Sequence, residues 1–131
     1  MFAKESFIPF TQALYSQFSS SKAKSNFVIS PLSIYSAVSL VLAGAESESK
    51  KELIAALRVK GNSDHNTLCK SIGDNLKALN DGDEKKTLVQ ANAAFMHNSC
   101  KLLDTYLQIV KKHFDAMTKE VSSVTLLLLK K

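Results

Sequence analysis

Asn26-Phe27-Val28-Ile29-Ser30-Pro31-Leu32-Ser33-Ile34 carries two structural signals in nine residues. Residues 26–29 form a short apolar run and predict a strand. Ser30-Pro31 then predicts a helix start. A serine at the N-cap accepts a bond from an orphan backbone N–H, and proline suits the first helical position, where its missing N–H is not needed. The helix that follows is apolar on nearly every face, through Ile34, Ala37, Val38, Leu40, Val41 and Leu42. Its polar residues are small: Ser33, Ser36 and Ser39. Such a helix expects cover on most sides. Gly44 marks its end.

On the N-terminal side, Phe7, Phe10, Leu14 and Phe18 recur at helical spacing and fade into a serine-rich loop at 19–22. On the C-terminal side, Ser49-Lys50-Lys51-Glu52 fits a capping box ahead of Leu53, Ile54 and Leu57. A fourth helical stripe runs through Leu68, Ile72, Leu76 and Leu79, weakened by Gly73. Gly61–Asp64 predicts a loop and Asn80–Asp83 a turn. Thr87–Met96 predicts a strand with Val89, Ala91, Ala93 and Phe95 on one face. Leu103, Tyr106, Leu107, Val110 and Phe114 mark a fifth helix, and Val121–Val124 a further short strand. The expected core comprises Leu53, Leu57, Leu68, Ile72, Leu76, Leu107, Val110 and Phe114.

The 131 residues suit one domain or a portion of one. A 45% hydrophobic content with only 4 Gly and 2 Pro excludes collagen-like and disordered classes. The net charge of +5 comes from scattered lysines, including the pairs 85–86, 111–112 and 130–131. No aromatic interleaving accompanies them, so they predict solvated faces rather than a nucleic-acid groove. Lys70 and Lys77, on the fourth helix, are too few to predict a polyanion contact such as heparin. No run is apolar for long enough to span a membrane. Met1-Phe2-Ala3-Lys4-Glu5 reaches charge at once, unlike a secretory leader. Asn98-Ser99-Cys100 is a weak variant of the glycosylation triplet, which occurs nowhere in its serine or threonine form.

Cys69 and Cys100 lack zinc or redox spacing and predict two free, mostly buried thiols, or a single disulfide if the chain is exported. His65, His97 and His113 lack metal-ligand spacing, and no phosphate loop, nucleophile elbow or dinucleotide fingerprint is present. Asp81 and Asp83 flank a glycine but lack the remaining ligands of a calcium loop. The expectation is therefore no enzyme, no cofactor and no metal.

Residues 26–34, with Ala37-Val38-Ser39-Leu40-Val41-Leu42-Ala43-Gly44-Ala45 after them, resemble the serpin signature at the start of helix B of that family. Leu88-Val89-Gln90-Ala91-Asn92-Ala93-Ala94-Phe95 resembles its central-sheet strand 2A, and Lys101–Leu107 the start of helix E. The motifs occur in family order over roughly residues 7–124. The resemblance implies an incomplete α+β fold: the N-terminal portion of a serpin, mainly helices A to E with strands 6B, 2A and part of 1A. It also implies that helix B lies beneath a large central sheet. Asn26, Ser30, Pro31 and Ser33 then correspond to the shutter, the hinge where that sheet must open. Locally, Ser30 needs only to cap a helix and Asn26 a turn; both readings stand at this point.

After Val124 the family pattern would continue into Asp-Phe and a long chain, whereas this sequence runs Thr125-Leu126-Leu127-Leu128-Leu129-Lys130-Lys131. The expected division is a serpin-like portion at 1–124 and a tail outside the pattern at 125–131, with the reactive-centre loop absent. The resemblance implies a full-length parent that inhibits a serine protease by reactive-loop insertion, and a 131-residue chain that does not inhibit alone. The alternative is a non-inhibitory interaction module or decayed fragment. Its expected partners are other protein chains, including copies of itself through exposed apolar faces, with no nucleic acid and no membrane. Family habit implies an extracellular location; the leaderless start leaves the cytoplasm as the alternative. Helix B should be less covered in this chain than its sequence asks for.

Overall fold

A computed structural model describes residues 2–21, 25–60, 64–80 and 92–122, with side chains from 5, 25, 64 and 92 onward and up to 78 in the third segment. Seven elements follow in chain order: α1 (Phe2–Ser21), α2 (Pro31–Ala43), α3 (Ser47–Ala56), α4 (His65–Asn80), β1 (Ala93–His97), α5 (Asp104–Phe114) and β2 (Met117–Val121). The expectations for residues 61–63, 81–91 and 123–131, and for the Leu79 side chain, lie outside the described residues.

Helix α1 carries Pro9 in its interior, which removes one helical donor, yet the helix continues. Its inner face explains why. Phe7 and Phe10 meet the Tyr35 ring of α2 edge-on, with centroids 5.5 and 5.1 Å apart at 88° and 78°. Such pairs contribute about 0.5–1.5 kcal/mol each beyond burial. Tyr35 also shares a hydrogen bond with buried Ser6, Oγ to OH 3.2 Å.

Helix α2 begins as its sequence predicts. Ser30 is extended and accepts a bond from the Ser33 N–H at 3.4 Å, and Pro31 opens the helix. Gly44 forms the C-cap, where an added Cβ would sit 3.1 Å from the Tyr106 ring of α5. Leu42 and Ala43 are buried with Tyr35 and Leu40. Val41, in contrast, is 61% exposed, and Ala37 is exposed as well. One side of an all-apolar helix thus stands open.

Five expectations need correction. The loop expected from 19 is helical as far as Ser21, where α1 ends. Residues 26–29 form no strand: Val28 is fully exposed, and Phe27 packs beside Tyr15 and Phe18 of α1 at centroid distances of 6.0 and 6.2 Å. A strand requires a neighbour for its backbone groups, and none of the described residues supplies one. Ser49 caps nothing, because α3 starts two residues earlier, after Glu46 and through Ser47 in the left-handed region at φ 51°. Leu103 precedes α5 as its N-cap rather than joining its buried stripe. The last described strand occupies 117–121; of the expected 121–124, Val121 belongs to it, Ser122 does not, and 123–124 lie outside the described residues.

The core lies where α4 and α5 pack under α2. Leu57, Leu68, Ile72, Leu76, Val110 and Phe114 are buried, as expected, while Leu53 and Leu107 are half-buried. Asp64 caps α4 by accepting from the N–H groups of Asn66 and Thr67, at 3.0 and 3.2 Å, and from the Thr67 hydroxyl. Gly73 is no mere weakness in α4. An added Cβ would stand 2.2 Å from the His113 carbonyl oxygen of α5, so this is where the two helices approach most tightly at a glycine. Lys77 donates from Nζ to the Lys112 carbonyl at 3.0 Å nearby. Asp115, left-handed at φ 48°, ends α5 and turns the chain into β2.

Strands β1 and β2 pair in parallel, Ala93 opposite Met117 through His97 opposite Val121, with α5 as the crossover that parallel pairing requires. Ala93, Phe95, Met117 and Lys119 form one open face. Cys69 is buried and Cys100 exposed; both thiols are free.

Two outcomes follow for the α4–α5 contact. Gly73→Ala gains about 1 kcal/mol of helix propensity. The clash with a backbone carbonyl, which cannot rotate away, costs more. A net loss of about 1–2 kcal/mol is expected in urea denaturation; an unchanged midpoint would show the helices slide apart freely. The second concerns pH. Burial pushes the buried His113 imidazole below its ordinary value, Lys112 pushes it further, Asp74 opposes, and Lys77 and Lys70 add to the depression. The unfolded chain binds that proton more readily, so this stabilisation is present above about pH 6.5 and is lost as pH falls through the depressed value. His113→Gln should flatten the stability profile on that acid side.

Candidate functional site: the joint between α2 and the strand pair

Serines recur every third residue along α2: 30, 33, 36 and 39. Burial divides them. Ser30 and Ser33 are exposed and share a hydrogen bond, Oγ to Oγ 2.9 Å, at the mouth of the helix. Ser36 and Ser39 are fully buried. Ser39 donates to the Tyr35 carbonyl at 2.7 Å, so it is satisfied within its own helix. Ser36 reaches outward instead: its Oγ accepts from Asn92 Nδ2 at 2.8 Å, just ahead of β1.

Asn92 is the joint itself. Its side chain holds α2, and its backbone carbonyl accepts from the Met117 N–H of β2 at 3.0 Å. One residue therefore ties helix and both strands together. A buried hydroxyl needs a partner, and its loss is more costly than the bond is favourable. Ser36 and Asn92 do not stand among the site residues that sequence reading selected. The signal was present in the three-residue serine spacing and in a lone polar residue between the alanines 91 and 93, but only the fold makes them neighbours.

Of the selected residues, the structure brings Ser30 and Ser33 together, with Pro31 setting the backbone between them. Asn26 is exposed. The side-chain hydrogen bond of Asn92 goes to Ser36 instead.

A second concave region opens where the end of α2 meets the starts of α3, α4 and α5, with a cavity volume of about 590 Å³. Gly44, Lys50, His65 and Tyr106 line it. His65 Nε2 lies 3.0 Å from the Ala43 carbonyl, and Tyr106 donates to the Leu40 carbonyl at 3.3 Å, so these rings brace α2. Cys69 lies behind His65, Sγ to Nε2 3.8 Å, but burial pushes its thiol up to about 11, which removes the thiolate a nucleophile needs. Burial likewise raises the hydroxyls of Tyr35 and Tyr106. Among the described residues no three His, Cys, Asp or Glu side chains are grouped to hold a metal, and no helix is long and apolar enough to cross a membrane.

The family model described as Serpin (serine protease inhibitor) matches residues 6–125. Among curated proteins, alpha-1-antitrypsin of Meriones unguiculatus is 28% identical over 106 residues, which is 80% of this chain and 26% of that protein. A serine protease inhibitor of Cyanea capillata is 36% identical over 90 residues, 68% of this chain and 23% of that protein. The chain thus spans about a quarter of the length of these relatives. In structure it is similar to cleaved Serpin 42Da, with TM-score 0.80 and 24% identity over 95% of this chain and 33% of that one. Reactive-loop-cleaved human thyroxine-binding globulin gives 0.84 and 20% over 95% and 37%.

The Ser36–Asn92 bond is testable by a double-mutant cycle. Ser36→Ala should cost about 0.5–1.5 kcal/mol. Asn92→Ala in addition should be markedly less than additive, because both remove one bond. Full additivity in denaturant unfolding would mean the two residues do not interact.

Proposed function

The chain belongs to the serpin family, and on that premise we propose that it forms the supporting scaffold of an extracellular serine protease inhibitor that works by reactive-loop insertion. The supporting observation is the joint at Asn92, whose side chain bonds Ser36 of α2 while its carbonyl bonds β2. A sheet that accepts an extra strand has to open between neighbouring strands, over a helix that stays in place. Short polar side chains suit that position. They satisfy buried polar groups without filling the space into which strands move.

In this reading a target protease cleaves an exposed loop and becomes acylated by it. The loop then enters the central sheet as a new strand and carries the protease along. Release of stored strain drives the step. We assign Ser30, Pro31 and Ser33, with Ser36 and Asn92, to the hinge region that the strands cross, and Asn26 to the turn before it. None of them contacts the protease, and none is catalytic. The bait loop belongs to the region of the longer relatives that these 131 residues do not span.

The open side of α2 and the open face of β1 and β2 support a second reading, in which the chain binds other protein chains. Val41, Phe95 and Met117 are each more than half exposed. A two-stranded sheet is also marginal without neighbours. Surfaces of this kind draw partners or self-associate.

Incubation of the 131-residue chain with trypsin-like and chymotrypsin-like proteases separates these readings. The expected result is cleavage or indifference, with no complex that survives boiling in detergent. Such a complex would overturn the scaffold reading. Sedimentation velocity of the same sample tests the second: a concentration-independent monomer argues against a binding module.

A further inference from the structure

Asn98-Ser99-Cys100 is a sequence motif that neither the core nor the α2 joint absorbs. The three residues form an exposed turn directly after β1. The turn is closed by the Cys100 N–H donating to the His97 carbonyl at 2.9 Å. His97 Nδ1 holds Ser99 twice, through its N–H at 3.2 Å and its hydroxyl at 2.6 Å. Asn98 is held only by its backbone, N–H to the Val121 carbonyl at 3.0 Å. Its side-chain amide has no hydrogen-bond partner among the described residues. The Cys100 thiol is exposed and free.

We propose that Asn98 is an N-glycan acceptor read through the Cys100 thiol. The proposal rests on the extracellular element of the reading above, since attachment requires passage through a secretory compartment, and it does not depend on protease inhibition. In the usual acceptor triplet a hydroxyl stands two residues after asparagine, and the middle residue is anything but proline. Here Ser99 fills the middle and a thiol replaces the hydroxyl. A thiol is a weaker hydrogen-bond donor than a hydroxyl, so occupancy is partial. In the transfer, Asn98 Nδ2 bonds to the anomeric carbon of a lipid-pyrophosphate-linked oligosaccharide. The carbon–oxygen bond to pyrophosphate breaks, the lipid pyrophosphate leaves with the electron pair, and the amide proton passes to a base of the transferase. The exposed turn then carries the glycan without displacing any contact of β1 or α5.

The test is translation of the full 131-residue chain behind a cleavable signal peptide with endoplasmic-reticulum microsomes. Protease protection identifies the translocated chains. The expected result is that a fraction of protected chain shifts upward by one glycan and returns after peptide N-glycosidase treatment. Asn98→Gln and Cys100→Ala should abolish the shift, and Cys100→Thr should raise the modified fraction several-fold. Protected wild-type chain without a shift overturns the proposal. If Cys100→Thr is then modified, the thiol is not read; if it too is unmodified, the turn is not reached. The export reading is judged separately. Wild-type chain confined to the cytosol of its source cells would overturn export even where the microsome assay succeeds.

Discussion

Burial of one side of α2 is the interaction on which the other elements depend. Tyr35, Leu40, Leu42 and Ala43 give that side its apolar surface. Around it α1 supplies two aromatic edges, α4 and α5 the aliphatic floor, and Tyr106 a ring against Gly44. A helix of this length is marginal in water on its own propensity, so its stability comes from packing. The hydrophobic gain is about 1.5–3 kcal/mol for each large side chain removed from water. That outweighs the serine bonds beside it, at about 1 kcal/mol each. The apolar contacts therefore hold the helix, and the serines specify what lies against it.

The serines along α2 differ in what they bond. Ser39 bonds its own helix, Ser30 and Ser33 bond each other, and only Ser36 reaches another element. A longer side chain at 36 would push the strands away, and an apolar one would leave Asn92 without its partner. A short hydroxyl does neither. In the hinge reading proposed above, this combination of close approach and hydrogen bonding is what would let strands rest on a helix and still separate from one another.

The unpartnered surfaces have the same origin. Val41 and Ala37 project from a helix whose sequence is apolar all round, and Phe95 and Met117 project from a pair of strands. In the solved relatives this chain corresponds to about a third of the molecule. In the proposed scaffold reading, these are residues that a larger assembly would cover. The same cause acts on residues 26–29. Their apolar pattern is strand-like, but no strand pairs with them among the described residues, and Phe27 packs on α1.

Many local signals were legible from the residues in order. Ser30-Pro31 starts a helix because capping and a fixed φ act over a few residues, and the stripes of α4 and α5 repeat with the helical period. The ordered motifs from 26 to 107 were also enough to indicate the family. Other features depend on which distant segment arrives as a neighbour. Gly73 resembled a flaw until the His113 carbonyl of α5 was found where its Cβ would lie. The capping box at Ser49 lost to a helix beginning at Ser47. Ser36 and Asn92 are separated by 56 residues, and no periodicity links them. The helices, their inner faces and the family can be read from residue order alone, because short-range sterics and solvation govern them. The glycine contact, the parallel pairing and the polar joint exist only in the folded molecule, because each arises from one close approach between segments far apart in the chain.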